Sequence, residues 1–450
     1  MRIEFLDSQP PSNVAVSAAR TCYFPNGLVT PKESESWKRK PQLLEAIFKG
    51  GHHTTLQHTH ITLLIDGISR HFIWRLLHSH SFYNSEQVSQ RYAKMKKDSF
   101  VYPKNCNKEK WENYYQQTFE NYEELIEILL PSVEEVIPKF RKKDSMKKAQ
   151  EMARYVLPVG ISAYLYHTVN IITLLRYIAV AKSLPEVQNE AKEFADIIST
   201  KLIELDPLLK PLIEYAKKSE FIFPNFDITS VKEKHQIDNQ DVFVYDVSGD
   251  FDVPLNGNYA DVLRSSQMVF DNSILGGFTT YMQLSLSADA QNQRHRRSLS
   301  FRPSLKSIYK QNYYTPPIIE KNQKAKELYD KTMRLSYSFF EEQENKLSFG
   351  EAIYALNNAH KIEILERNDF SSFNHKAQMR LCYNAQEEIF DITYKQVEKL
   401  REKNIKGIDN FMPPCVLRQK LNIRPTCPEG DHFCGIKVWK LKFEDFKREI

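Results

Sequence analysis

The chain has 450 residues, of which 41% are hydrophobic and 26% charged, which is ordinary for a water-soluble protein of about two or three domains. The net charge of +5 is too small for this length to argue for nucleic-acid binding, and it hints at anionic ligands at most. The longest apolar stretch, 171–180, is interrupted by Arg176 and is too short to span a membrane. The N-terminus has no apolar signal-peptide core, so a cytoplasmic protein is expected.

Strands and helices are both predicted along the chain. Alternating and β-branched residues predict a strand over 60–68. Apolar residues at helical spacing then predict two long helical segments, over 108–137 and 185–218. In the second half, a strand over 279–286 precedes a long helix over 322–346. The 13 glycines form no phosphate-binding motif, so any nucleotide must be held without a glycine-rich loop.

The stretch 221–256 differs from the sequence on either side of it. It loses helical periodicity and carries Pro, Asp and Asn turn signals, which indicates a linker or an inserted hairpin. The expected division is 1–218 for an N-terminal unit, 219–257 for the linker or hairpin, 258–412 for a C-terminal unit and 413–450 for a Cys-containing tail.

The sequences of the two halves repeat weakly. Each half carries a histidine followed nine residues later by a serine, His80 with Ser89 and His295 with Ser304. Further on, the segment 153–158 resembles the segment that lies 199 residues later. The identity is low, so chance similarity is the alternative, and the content of the motifs has to decide between the two.

Two groups of motifs carry that content. The C-terminal half has the triplet Arg294-His295-Arg296, with Gln291 three residues before it. The N-terminal half has Gln87-Val-Ser89-Gln-Arg91-Tyr92 and, further on, Ala153-Arg154-Tyr-Val-Leu-Pro158. These motifs resemble those of the flavin-dependent thymidylate synthases, and the chain looks like a divergent, tandem-fused member of that family.

The losses in the two halves are complementary. The N-terminal half reads Ser79-His80-Ser81 where the family has its triplet. The C-terminal half has Arg302 and Lys306 where the family's serine segment has Gln and Arg. In the family each active site lies between subunits of a homotetramer, so a fused chain needs one good copy of each face. The resemblance therefore implies a site shared between the halves, and a homodimer that mimics the tetramer.

The implied fold class is α+β, with two tandem related units, each of helices packed on a small antiparallel sheet. The implied reaction is reductive methylation of deoxyuridine monophosphate (dUMP) to thymidylate. Methylenetetrahydrofolate supplies the carbon, NADPH reduces the cofactor FAD, and the reduced flavin supplies the hydride. No protein nucleophile is used, so the protein positions the reactants and stabilises charge. Neither a membrane nor a nucleic acid is expected as a partner.

The resemblance assigns the site residue by residue. Seven residues are expected to bind the substrate: Gln87, Ser89, Arg91, Arg154, Gln291, Arg294 and Arg380. Arginine suits a dianionic phosphate because its planar group forms bidentate hydrogen bonds. Arg380 and Arg294 are the catalytic candidates, since a fixed guanidinium stabilises negative charge that grows on the uracil ring. Six residues are expected to contact the flavin: His53, Thr55, Gln57, Asn170, His295 and Arg296.

One departure from the family leaves alternatives open. The family's Thr-Val-Asn-x-Arg segment ends in an arginine, but Ile172 and Ser371 stand at that place in the two halves. A divergent flavoprotein that binds a uridine nucleotide without methylating it is therefore the first alternative. A non-catalytic protein that binds RNA or a nucleotide through its basic faces is the second.

No metal is expected. The histidines between 52 and 80 lack a His-x-x-x-His spacing with a carboxylate, so core or flavin-lining roles are favoured. The tail has the residue types of a small zinc site in Cys415, Cys427, His432 and Cys434. Their spacing matches no standard zinc finger, so an ordinary cysteine-bearing tail is the preferred interpretation.

Overall fold

A computed structural model describes residues 1–448 apart from 7, 26, 81–82, 92, 220–226 and 252–274. Its α-helices are α1 (Pro11–Thr21), α2 (Pro31–Glu35), α3 (Lys40–Lys49), α4 (Arg70–Arg75), α5 (Lys108–Val136), α6 (Ser145–Ala153), α7 (Ile171–Val180), α8 (Gln188–Leu205), α9 (Lys210–Lys218), α10 (Ile228–His235), α11 (Leu286–Asn292), α12 (Leu305–Ile308), α13 (Pro317–Lys321), α14 (Gln323–Glu344), α15 (Phe349–Ala352), α16 (Phe370–Arg380), α17 (Glu387–Arg401) and α18 (Pro414–Lys420). The strands are β1 (Arg2–Phe5), β2 (His60–Ser69), β3 (Tyr83–Gln87), β4 (Ser162–Asn170), β5 (Val242–Ser248), β6 (Gly277–Ser285), β7 (Leu299–Phe301) and β8 (Lys361–Asp369).

The strands form two antiparallel sheets with the same topology. The first has the order β1-β2-β4-β3 and the second the order β5-β6-β8-β7, so each strand of one sheet has a counterpart in the other. The α+β class with two tandem units is thereby confirmed. The segment 219–257 contains the helix α10 and the strand β5, and β5 is an edge strand of the second sheet. The expected boundary at 257 lies outside the described residues.

The elements predicted from periodicity match the structure closely. The strand predicted over 60–68 is β2, and the helices predicted over 108–137 and 322–346 are α5 and α14. The segment 185–218 is two helices rather than one. Asp206 and Pro207 separate α8 from α9, because proline lacks the N–H that would continue the helical bonding.

The two units contact each other reciprocally, as two copies around a local two-fold axis do. The N–H of Val159 donates to the carbonyl of Leu356, and the N–H of Asn358 donates to the carbonyl of Leu157. Each of these residues in the first unit has its counterpart 199 positions later in the second. One apolar core contains residues of both units and extends across this interface, so the units form one body.

Each unit has a buried glutamate that forms hydrogen bonds with both units. In its own unit the glutamate binds the residue that caps α4 or α11, and in the other unit it binds a tyrosine. Glu388 accepts hydrogen bonds from the N–H and hydroxyl of Ser285, which caps α11, and from the hydroxyl of Tyr155 in the first unit. Glu190 accepts the equivalent bonds from Ser69, which caps α4, and from Tyr354 of the second unit. These contacts fix the starts of the segments that carry the site motifs.

Burial gives Glu388 a pH dependence that can be measured. It raises the pKa of this carboxyl from 4.5 to about 7, against the opposing effect of the hydrogen bonds from Ser285 and Tyr155. A raised folded-state pKa contributes stability that is present below the unfolded value and is lost as the pH rises through about 7. We therefore expect the free energy of unfolding of the wild type to fall, relative to Glu388→Gln, by on the order of 3 kcal/mol between about pH 4.5 and 8. Denaturant unfolding at several pH values measures this, and parallel pH curves for the two proteins would contradict it.

Candidate functional site

The motifs of the two units meet within one chain. The serine segment follows β3 of the first sheet, and the arginine triplet follows α11 of the second unit. Arg294 reaches across the interface, where its Nη2 lies 2.8 Å from Oε1 of Glu86 and 3.4 Å from the carbonyl of Ser85. The triplet therefore lies against the strand that leads into Gln87, Ser89 and Arg91.

Arg380, at the end of α16, organises the second unit's side of the site. Its Nε donates to Nε2 of His295 at 2.8 Å, and its Nη2 donates to the carbonyl of Gln291 at 2.8 Å. Burial, followed by the charges of Arg91 and Arg294, lowers the pKa of Arg380 to about 9. Three guanidinium groups from both units thus face one region, which is an arrangement suited to an anionic ligand.

His295 is neutral in this arrangement. Burial lowers its pKa well below the ordinary value, and the charge of Arg380 is the next largest cause. A neutral imidazole can accept the hydrogen bond from Arg380 through Nε2, which leaves Nδ1 as the protonated nitrogen. The histidine therefore holds the Arg380 guanidinium in place without adding a further positive charge.

Arg91 bridges the units on the other side of the region. Its Nε donates to Oε1 of Glu151 at 2.5 Å, and its Nη2 donates to the carbonyl of Asn384 at 2.6 Å. Burial acts to raise the pKa of Glu151, but the charges of Lys148 and Arg91 outweigh it and leave that pKa below its usual range. Arg91 is accordingly oriented by a fixed carboxylate from its own unit and a carbonyl from the other.

Arg154 is buried and has unused donors. Only 4% of its surface is exposed, and its Nε and Nη2 atoms have no hydrogen-bond partner in the described part of the chain. Buried guanidinium N–H groups without acceptors are costly, and each such group in a native structure calls for an explanation. A bound anion would supply the missing acceptors.

Three further residues belong to this site although the motifs do not single them out. Arg70, the first residue of α4, donates from Nη1 to Oε1 of Gln87 at 3.1 Å. Burial, followed by the charge of Arg154, lowers the pKa of Arg70 to about 10. The other two are Glu151 and Asn384. Arg70 could have been found from its position two residues after the predicted strand 60–68, whereas the other two depend on contacts that are remote in sequence.

The residues expected to contact the flavin are not all brought together. The Arg296 guanidinium lies 4.9 Å from the centre of the Tyr83 ring of β3. Asn170 caps α7 by accepting from the N–H of Thr173 at 2.9 Å. His53 lies against the carbonyl of Phe48, Thr55 donates to the carbonyl of His52, and Gln57 ends the same turn. Within the described residues, no hydrogen bond, ion pair or ring contact joins His53, Thr55, Gln57 or Asn170 to His295 or Arg296.

In the second unit, the residues that correspond to the serine segment already bind a carboxylate of the protein. Ser304 is the counterpart of Ser89, and its hydroxyl donates to Oε1 of Glu186 at 2.6 Å. The N–H of Leu305 donates to the same oxygen at 2.9 Å, and Nη2 of Arg75 pairs with Oε2 at 2.9 Å. Glu186 adopts the left-handed φ of +64°, which is uncommon for a residue with a side chain. A carboxylate therefore occupies the anion position of this copy.

The corresponding place in the first copy has no carboxylate. Glu186 lies four residues before Glu190, and the residue four before Glu388 is Asn384. Asn384 directs its side chain away from the serine, since its Nδ2 donates to the carbonyl of His432 and its Oδ1 accepts from Arg141. The two copies thus differ in whether a carboxylate of the protein binds the donors of the serine segment.

The fold and the site define a two-unit protein in which arginines of both units face one region. Comparison with known proteins places it more closely. The model of the Thy1 family, described as thymidylate synthase complementing protein, matches residues 4–208 and 275–404. The chain therefore belongs to this family of enzymes of the methyltransferase class, with one matched region in each unit.

Curated relatives match at low identity. The flavin-dependent thymidylate synthase of Clostridium tetani is 26% identical over 200 residues, which cover 43% of this chain and 80% of the relative. That of Thermosipho melanesiensis is 27% identical over 194 residues, covering 42% and 80%. Among solved structures, the UMP/dUMP methylase PolB from Streptomyces cacaoi bound with 5-Br dUMP is 19% identical with a TM-score of 0.36, covering 49% of this chain and 97% of that chain. No helix in the described ranges is long and apolar enough to cross a membrane.

Proposed function

We propose that the chain methylates dUMP to thymidylate in a flavin-dependent reaction, at a site shared between its two units. The observation that carries this proposal is the buried Arg154, whose Nε and Nη2 lack acceptors beside the serine segment. A dianionic phosphate would supply those acceptors, and Ser89 and Arg91 provide further donors next to it. The family membership supports the reaction, because the curated relatives are named for it.

The side chains suit distinct parts of the substrate. Gln291 is held by Arg380 and can read the edge of the uracil ring through its amide. Arg380 and Arg294 place fixed positive charge where negative charge grows on the ring as its C5 carbon attacks the one-carbon unit. Because these groups are already positioned by His295 and Glu86, little reorganisation is needed during the reaction.

FAD, reduced by NADPH, is the proposed cofactor, and methylenetetrahydrofolate is the proposed carbon donor. When bound, FAD supplies the hydride that completes the methyl group. The donors present fit an anionic dinucleotide, since the exposed guanidinium of Arg296 lies beside the neutral His295. His53, Thr55, Gln57 and Asn170 stay predictions for the opposite face. A homodimer would bring four units together, as in the family's tetramer.

One nucleotide site per chain is part of the proposal. The Ser304 hydroxyl already binds the Glu186 carboxylate. In the other copy, the residue that corresponds to Glu186 is the neutral Asn384, whose side chain binds His432 of the tail. Binding of dUMP to the flavin-loaded chain is therefore expected to saturate at one nucleotide per chain.

A second candidate function rests on one observation. Ile172 and Ser371 are both buried in their helices at the place where the family pattern has an arginine. A flavoprotein that binds a uridine nucleotide without methylating it would tolerate this loss. RNA or nucleotide binding without catalysis is the remaining alternative, and the exposed arginines of the triplet are its basis.

Two measurements separate these functions. A flavin absorbance spectrum of the purified chain excludes the non-catalytic alternative. If a thymidine-requiring bacterial strain that expresses the chain grows without added thymidine, the result supports the proposed thymidylate synthase activity. If well-expressed, flavin-loaded protein binds dUMP but does not restore growth, the second function replaces the first. The Arg154→Met variant is the negative control for this growth test. It keeps an unbranched apolar side chain but removes the proposed contact with the phosphate.

A further inference from the structure

Four of the six cysteines line one small cavity beneath the C-terminal tail. They are Cys382, which follows α16, Cys415 in α18, and Cys427 and Cys434 in the irregular segment beyond it. The cavity has a volume of about 20 Å³, which is room for a single water or ion. Cys22 and Cys106 do not line it.

The four thiols influence one another electrostatically. Burial raises the pKa of Cys415 to about 12, and the neighbouring Cys382, Cys427 and Cys434 are the next largest causes. Burial likewise raises the pKa of Cys382 to about 11, with smaller contributions from Cys434 and Cys427. Four thiolates cannot share this space without a cation, so the thiols stay protonated unless a cation joins them.

Backbone contacts oppose part of this rise at all four positions, although the pKa of each thiol stays above its ordinary value. The Cys434 thiol donates a hydrogen bond to the carbonyl of Ile436 at 3.7 Å. The thiolate is the form that binds metals. Gly430 and Gly435 have positive φ angles of 54° and 89°, which turn the chain back after Cys427 and Cys434.

We propose that Cys382, Cys415, Cys427 and Cys434 together bind one Zn²⁺ ion in a structural site. Four sulfur ligands and no open position are typical of structural zinc. No group of three or more His, Cys, Asp or Glu side chains in the described residues is arranged to hold a metal ion as they stand, so binding would require the four thiols to turn toward one another. His432, grouped with these cysteines from the sequence, is exposed and does not line the cavity, and Cys382 takes its place.

The zinc would hold the loop that completes the nucleotide site. Cys382 lies between Arg380 and Asn384 in the sequence. Asn384 accepts from Arg91 through its carbonyl, and its Nδ2 donates to the carbonyl of His432 in the tail at 2.6 Å. An ion bound to Cys382 and to the tail would therefore position this loop without touching the substrate.

The test is the metal content of the full chain, purified under reducing conditions from cells supplied with zinc. We expect one zinc per chain by plasma mass spectrometry, released when the thiols are blocked. Cys415→Ser and Cys427→Ser are expected to lose the metal, while Cys22→Ser and Cys106→Ser are the matched controls that keep it. Replacement of zinc by Co²⁺ is expected to give the absorption bands of tetrahedral thiolate coordination, which does not require a stable variant.

Two results would overturn the proposal. One is wild-type protein without metal whose four tail-cavity thiols are all freely titratable, and the other is a disulfide between any two of them. Neither measurement involves dUMP or flavin, so failure of the zinc site and failure of the proposed function are distinguishable. Removal of the metal by a chelator is also expected to lower the unfolding temperature of the wild type and to leave that of Cys415→Ser unchanged.

Discussion

Replacement of Arg91 by alanine is expected to weaken dUMP binding by about 100-fold, which corresponds to roughly 3 kcal/mol for a charge-assisted contact. Its counterpart in the second unit is Lys306, and Lys306→Ala is expected to change the affinity by less than about twofold. The reason is that Arg91 faces Arg380 and Arg294, whereas Lys306 follows Ser304, whose hydroxyl already donates to the Glu186 carboxylate. Calorimetric titration of the flavin-loaded chains with dUMP measures both.

The duplication supplies the controls for this comparison. Ser89→Ala and Ser304→Ala form a second matched pair, in which the first variant alone is expected to weaken binding. Arg91→Ala also removes a partner of Glu151, but Lys148 stays 3.1 Å from that carboxylate, so the fold is expected to survive. Thermal unfolding checks this. Normal dUMP affinity in a folded Arg91→Ala variant would exclude the shared site.

Much of the fold could be predicted from local patterns. The alternation over 60–68 and the helical spacing over 108–137 gave elements that the structure reproduces as β2 and α5. That Arg91 of one unit and Arg294 of the other lie in one region could also be anticipated, because each motif survives in one half and is lost in the other. Such losses reflect which residues act together, even where overall similarity between the halves is low.

Contacts remote in sequence could not be anticipated in this way. Glu151 and Asn384 orient Arg91 from positions 60 and 293 residues away, and no local pattern marks either of them. The same applies to Cys382, which joins the tail cysteines only once α16 packs beside the tail. The cysteines of the tail could be grouped from the sequence as candidate zinc ligands, but Cys382 could not be added to that group.

The second large effect is expected for Glu186→Ala. Glu186 and Arg75 are a buried ion pair, with side chains 3% and 4% exposed. Removing the carboxylate leaves Arg75 with the carbonyls of Arg302 and Pro303 but without its charged partner. Breaking such a pair destabilises the fold by about 3–5 kcal/mol. Chemical denaturation of the two proteins is expected to show this difference.

Inorganic phosphate is expected to restore part of the stability that the Glu186→Ala variant loses. The vacated pocket keeps the Ser304 hydroxyl, the Leu305 N–H and Arg75 as donors, and an anion that binds only the folded chain stabilises it in proportion to its occupancy. Glu186→Gln is the matched control, because it also removes the negative charge beside Arg75 but leaves a side chain of the same size in the position where phosphate would bind. Phosphate should therefore raise the unfolding temperature of Glu186→Ala more than that of Glu186→Gln or the wild type, compared at equal ionic strength. Equal gains in all three would mean that Glu186 is an ordinary buried acid and that the second copy was not closed by it.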